Sequence, residues 1–116
     1  MSTEVDALRS KRPAERSPTV EQDTTTLLDL FGDEYTRRVY EAVAERPRTG
    51  REVAEAVDGS RPTAYRRLND LRDAGLVRTE TLLCTDGHHK EEFEAVGGSL
   101  SVTLDEDGLE ATVRVA

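Results

Sequence analysis

The chain of 116 residues has no tryptophan, no isoleucine, a single cysteine and only two lysines, and aromatic residues make up 4% of it. Each scarcity excludes something. With so few rings the core must be thin and built of Leu, Val and Ala, a condition that oligomerisation relieves. A lone Cys84 cannot form an intramolecular disulfide, which fits a reducing compartment. No apolar run approaches the roughly 20 residues a bilayer span requires. The first residues also lack the basic-then-apolar pattern of a secretory signal, so a cytoplasmic protein with no membrane partner is expected. No Ser/His/Asp set, carboxylate pair or Gly-rich phosphate loop stands out, and the "VGGS" of residues 96–99 matches no nucleotide-binding pattern. The chain therefore reads as a non-enzyme without a cofactor.

Charge is what the sequence has in quantity: 34% of residues are charged, and the formal net charge is -8 at pH 7. Arginine rather than lysine supplies nearly all of the positive side. An acid-rich, lysine-poor surface suits molar salt, where carboxylates keep water bound and a Debye length of about 3 Å makes self-repulsion cheap. On that reading the negative charge describes the solvent, not the partner. An acidic protein of ordinary habitat is the plainer alternative.

The organisation follows from caps and periods. Residues 1–23 contain polar and Pro-bearing clusters such as "SKRPAERSPT" and no sustained apolar period, and the four acids and four bases of residues 1–22 cancel. They read as a disordered N-terminal arm. From Thr24 an apolar turn (Leu27, Leu28, Leu30, Phe31) leads into a helix starting near Gly32 or Asp33, with Val39, Ala42 and Val43 at i, i+3, i+4 and Pro47 as its stop. Thr49 and Glu52 form a capping box for a short second helix from about Gly50 to Val57, with Gly59 suited to a left-handed cap. Ser60 caps a third helix, Ser60–Ala74, with Pro62 in its first turn, Ala64, Leu68 and Leu71 on one face, and Gly75 at its end.

After Gly75 the period becomes two. "LVRTETLLCT" and "KEEFEAV" read as strands around "DGHH", and "SLSVTL" and "LEATVRV" as a second hairpin around "DEDG" with one apolar face. The expected fold is α+β: a winged helix-turn-helix of three to four helices over residues 24–96 with a wing at about 84–90, and a C-terminal β-hairpin extension at 97–116. The hairpin and the short apolar turn near Leu27 are the candidate dimer contacts.

The stretch "TGREVAEAVDGSRPTAYRRLNDLRDAGLVRTE", above all its "RRLNDLRDAGLV" ending and the wing directly after it, resembles winged helix-turn-helix transcription regulators of the arsenical-resistance-repressor (ArsR-like) type found in haloarchaea. The resemblance implies sequence-specific binding of double-stranded DNA, usually as a homodimer, with the third helix in the major groove and the hairpin wing over the phosphates or minor groove. The clustered cysteines of the family's metal sensors have no counterpart here.

With the Ala64, Leu68, Leu71 stripe turned inward, the outward face of the third helix begins basic and ends acidic. Ser60–Asn69 holds three arginines and no acid, whereas residues 76–116 hold nine acids and three bases. Recognition helices insert their N-terminal half, so base contacts are expected from Arg61, Thr63, Tyr65, Arg66 and Asn69, with Arg66 first. Arg67 on the flank, and Arg48, Thr49 and Arg51 near the second helix, suit phosphates; His88, His89 and Lys90 suit the wing tip. A solvated charged face is the plain alternative for any one of them. A winged-helix module that binds protein through its acidic sheet is the rival function. Weaker still is a metal- or redox-responsive regulator using Cys84, His88 and His89, since three ligands fall short of the four of structural zinc and a reactive thiol needs a cation beside it.

Overall fold

The computed structural model describes residues 19–20 and 23–115. Four helices are capped by side chains that the sequence places one residue before each. Asp23 caps α1 (Thr24–Gly32) and Asp33 caps α2 (Glu34–Glu45), each accepting the backbone N–H three residues on. Thr49 and Glu52 complete a reciprocal capping box on α3 (Gly50–Ala56), and Ser60 caps α4 (Arg61–Asp73), which has Pro62 in its first turn. The apolar turn expected at Leu27–Phe31 is thus a full helix. Its period spans only two turns, too short to register in the sequence, and packing fixes it: Leu27 and Leu30 are buried.

Helices α3 and α4 both end in Schellman motifs. At the end of α4, Gly75 (φ 81°) bonds to the Arg72 carbonyl and Leu76 to the Leu71 carbonyl, both at 2.9 Å. At the end of α3 the left-handed residue is Asp58 (φ 58°), not Gly59 as its identity suggests. Gly59 follows it and bonds back to the Ala54 carbonyl at 2.9 Å. The glycine is needed there for space, because a Cβ would overlap the Tyr35 ring.

Two small antiparallel sheets complete the chain. In the first, the two-residue strand β2 (Arg48–Thr49) pairs with β4 (His89–Ala95), which pairs with β3 (Val77–Leu83), in the order β2-β4-β3. Leu83 faces His89, so the wing turn is 84–88, and His89 and Lys90 belong to the strand. In the second, β5 (Gly98–Asp105) and β6 (Gly108–Val115) form the expected hairpin around "DEDG". Thr19–Val20, inside the expected N-terminal arm, is paired with β6 as β1, giving the order β1-β6-β5. The rest of that arm lies outside the described residues.

The result is an α+β winged helix-turn-helix whose core runs without a break into the C-terminal sheet. Val39, Val43, Val53, Ala64, Leu68, Leu71 and Phe93 are buried with Leu27, Ala111 and Val113 in one cluster. The C-terminal hairpin is therefore joined to the helices through α1, whose Thr24 hydroxyl accepts the Ala111 N–H at 3.1 Å.

Candidate nucleic-acid interface

Where α3, α4 and the wing meet, a groove of about 500 Å³ is lined by Thr49, Arg51, Glu52, Glu55, Arg61, Tyr65 and Lys90. Five residues expected from sequence to meet DNA are thereby brought to one place from four elements: Thr49 from β2, Arg51 from α3, Arg61 and Tyr65 from α4, and Lys90 from β4. The capping box sets the start of α3, so Thr49 and Arg51 open onto the groove, while the Ser60 cap does the same for Arg61 at the start of α4.

Tyr65 is the keystone of this corner. Its ring packs edge-on against buried Phe93 of β4, with centroids 6.1 Å apart at 73°. It also lies across Gly50, where a Cβ would overlap the ring. The absence of a side chain at Gly50 lets α3, α4 and the wing close on one tyrosine, which orients the wing against the helix. Neither Gly50 nor Phe93 was among the expected site residues. The signal for Phe93 was present, since it is the one large apolar side chain in a strand of mostly charged neighbours, but its role depends on a partner 28 positions away.

The electrostatics of the groove are nearly balanced. Arg51 pairs with Glu55 at 3.5 Å, both exposed. Glu52 accepts the Thr49 backbone N–H, which holds its carboxyl below the usual range, with Arg46 and Lys90 contributing, so it stays ionised. Three cations therefore face two carboxylates. Arg66 is exposed on the same half of α4 and makes no ion pair among the described residues.

Two arginines expected at phosphates are turned elsewhere. Arg48, whose side chain is 12% exposed, donates from Nε to the Ala42 carbonyl at 2.7 Å and from its guanidinium to Glu45 at 2.6 Å, fastening β2 to α2. Arg67 reaches back to Asp33 at 3.7 Å and Asp70 at 3.8 Å, and its Nε is buried with no partner among the described residues. Asp33 in turn has its pKa lowered, first by the Thr36 hydroxyl and N–H and then by Arg67 and Arg37. Thr63 is half-buried and occupied in the helix cap, its hydroxyl accepting from Ser60 at 3.0 Å, and Asn69 is half-buried beyond it.

The wing is acidic apart from its tip. Glu80 and Glu92 stand directly opposite one another, and Arg78 pairs with Glu94 at 3.2 Å. His88 lies in the turn with Nδ1 3.2 Å from Asp86, whose pKa is lowered chiefly by the His88 backbone N–H. His89 is exposed at the first position of β4. Among the described residues no group of three or more His, Cys, Asp or Glu side chains is disposed to hold a metal, so Cys84, His88 and His89 do not assemble into one. None of the described helices is long and apolar enough to cross a membrane.

Residues 31–80, from the end of α1 to the middle of β3, match a family described as a helix-turn-helix domain. No curated protein matches the chain. The match supports a helix-turn-helix DNA-binding domain for the segment that contains α3, α4 and the Ser60 cap between them.

Proposed function

We propose that this protein is a sequence-specific, double-stranded-DNA-binding transcription regulator that acts as a homodimer. The N-terminal half of α4 enters the major groove, and the two copies read half-sites about 34 Å, or one helical turn, apart. The observation that carries the reading is the groove shared by Thr49, Arg51, Arg61, Tyr65 and Lys90, beside an exposed Arg66 that makes no ion pair among the described residues. Arg66 and Arg61 are the base-reading groups, and Arg51 and Lys90 the phosphate-positioning ones. Arg48 and Arg67 support the scaffold. Within this class the "RRLNDLRDAGLV" ending and the acid-rich, lysine-poor surface favour an ArsR-like regulator of a haloarchaeon, working in the cytoplasm.

The near-neutral groove sets the mechanism. Counterion release supplies little affinity when salt is concentrated, so direct hydrogen bonds and close fit must carry the binding. Arg66→Ala is expected to lose about 1–3 kcal/mol of discrimination at one base position, while Arg72→Ala, at the acidic end of α4, leaves binding unchanged. Binding isotherms across a KCl series check both. A steep collapse of affinity well below about 1 M would overturn the mechanism.

One observation favours a second reading. The facing Glu80 and Glu92, with Glu91 and Glu94 on the same strand pair, give the wing an acidic surface suited to a basic protein partner. A genome-wide map of bound sites separates the two, since absence of promoter enrichment would favour the interaction module.

A further inference from the structure

The C-terminal sheet has a face and an edge that nothing among the described residues covers. Leu100 faces Val113, Val102 faces Ala111 and Leu104 faces Leu109, so all six share one side of the hairpin. Helix α1 buries Ala111 and Val113, yet Leu100, Val102, Leu104 and Leu109 remain 41%, 51%, 77% and 46% exposed. Together they leave on the order of 400 Å² of contiguous apolar surface, within the range of the largest patch on a monomer, which is often functional. β5 is also the outer strand of its sheet, with one row of backbone groups unpaired among the described residues. Natural edges are guarded by lysine, proline or an inward charge. β5 carries none of these before its last residue, Asp105, at the turn: residues 96–104, "VGGSLSVTL", contain no charged residue in a chain that is 34% charged.

We infer that β5 is the seam of a homodimer, in which two copies pair their β5 strands antiparallel about a two-fold axis through Val102 and join their sheets into one. This deepens the proposed function by naming the surface through which its two DNA-binding halves are held. A second copy is the occupant for three reasons. An axis perpendicular to the sheet keeps the apolar faces of both copies on one side, and centring it on Val102 sets Leu100 against Leu104 of the second copy. The antiparallel sense also sends the acidic turns at Asp105–Asp107 to opposite ends, so two chains of net charge -8 meet along the stretch that carries no charge. Finally, the unpaired backbone groups of the two edges satisfy one another, and the two apolar faces adjoin as one continuous strip on the same side of the joined sheet. The chain's own N-terminal side is a poorer fit, because Thr19–Val20 occupies the opposite edge, on β6.

The test uses the full chain without DNA, in concentrated KCl. Light scattering is expected to give twice the 12.9 kDa chain mass, and Val102→Lys a monomer with unchanged helical circular dichroism. Hydrogen exchange of the wild type is expected to show protection of the β5 amides that is lost on dilution, while α4 protection is unaffected. This second measurement decides the matter should the variant fail to fold. A wild type that is monomeric at about 0.1 mM, a folded Val102→Lys that stays dimeric, or β5 exchange independent of concentration would each overturn the seam. A dimer that ignores DNA would sink the proposed function and leave the seam intact, and a folded Val102→Lys that stays dimeric and still binds one sequence would do the reverse.

Discussion

The molecule contains two antiparallel hairpins of nearly equal length, and they are built for opposite surroundings. The wing, β3 and β4, carries charge along both strands, gains a third strand from β2, and is anchored by Phe93, which is 1% exposed. The C-terminal hairpin, whose third strand is β1, has an outer strand uncharged from Gly98 to Leu104, an apolar face half covered by α1, and no buried ring. The backbone hydrogen bonding is the same in kind, so side chains alone decide the difference. A strand studded with carboxylates resists pairing with a further strand, and an uncharged edge invites it. The acidic wing can flank a groove without being sealed by another protein, whereas the bare hairpin is the part of this chain with most to gain from a partner.

The contrast can be broken most severely at Phe93. Phe93→Ala removes the wing's anchor and the partner of Tyr65, and should cost about 3–5 kcal/mol, read by urea denaturation. Leu104→Ser, on the bare hairpin, should change monomer stability by no more than about 0.5 kcal/mol in the same assay. Equal costs would mean that the two hairpins do not differ in this way. A subtler change is Glu80→Thr, which removes the like-charge pair with Glu92. It should stabilise the wing by a few tenths of a kcal/mol in dilute buffer, an effect that molar KCl erases by screening.

The smallest and most local effect is acid titration of the wing turn. Asp86 has a folded pKa below its ordinary 3.8 because the ionised carboxylate accepts the His88 N–H. A depressed carboxylate contributes stability that is fully present above the unfolded pKa and is lost as pH falls through the folded one. The turn at 84–88 should therefore loosen only below about pH 4, seen as wing amide shifts by NMR, and Asp86→Asn should remove that transition. Loosening already at pH 6 would overturn the assignment to Asp86.

Most of the helix-turn-helix was legible because its signals are local. Asp, Thr and Ser caps act within three residues, the Ala64, Leu68, Leu71 stripe within two turns, and the change to period two at Leu76 within one strand. What escaped had little local signal. β2 is two residues long and exists because Thr49 and Arg48 pair with Glu92 and Phe93. α1 is short and weakly patterned, and β1 is held only by its register on β6. The left-handed position falls on Asp58, one residue before Gly59, and Gly59 instead lies against Tyr35, a contact across the fold that no local pattern announces.

The arginines show the same division within one helix. Their number and order along α4, and the acid-free stretch Ser60–Asn69, belong to the sequence, as do the caps and periods, because these properties involve only neighbours along the chain. Which arginine remains available is decided by the tertiary structure. Arg67 is drawn to Asp33, 34 positions earlier, Arg66 stays exposed with no ion pair among the described residues, and Tyr65 is pinned between Gly50 and Phe93. The same holds for the C-terminal hairpin: alternation announces an apolar face, but only the packing of α1 over Ala111 and Val113 determines that Leu100, Val102, Leu104 and Leu109 stay uncovered. Burial is a property of surfaces meeting across the fold, and no local period can specify where a covering helix stops.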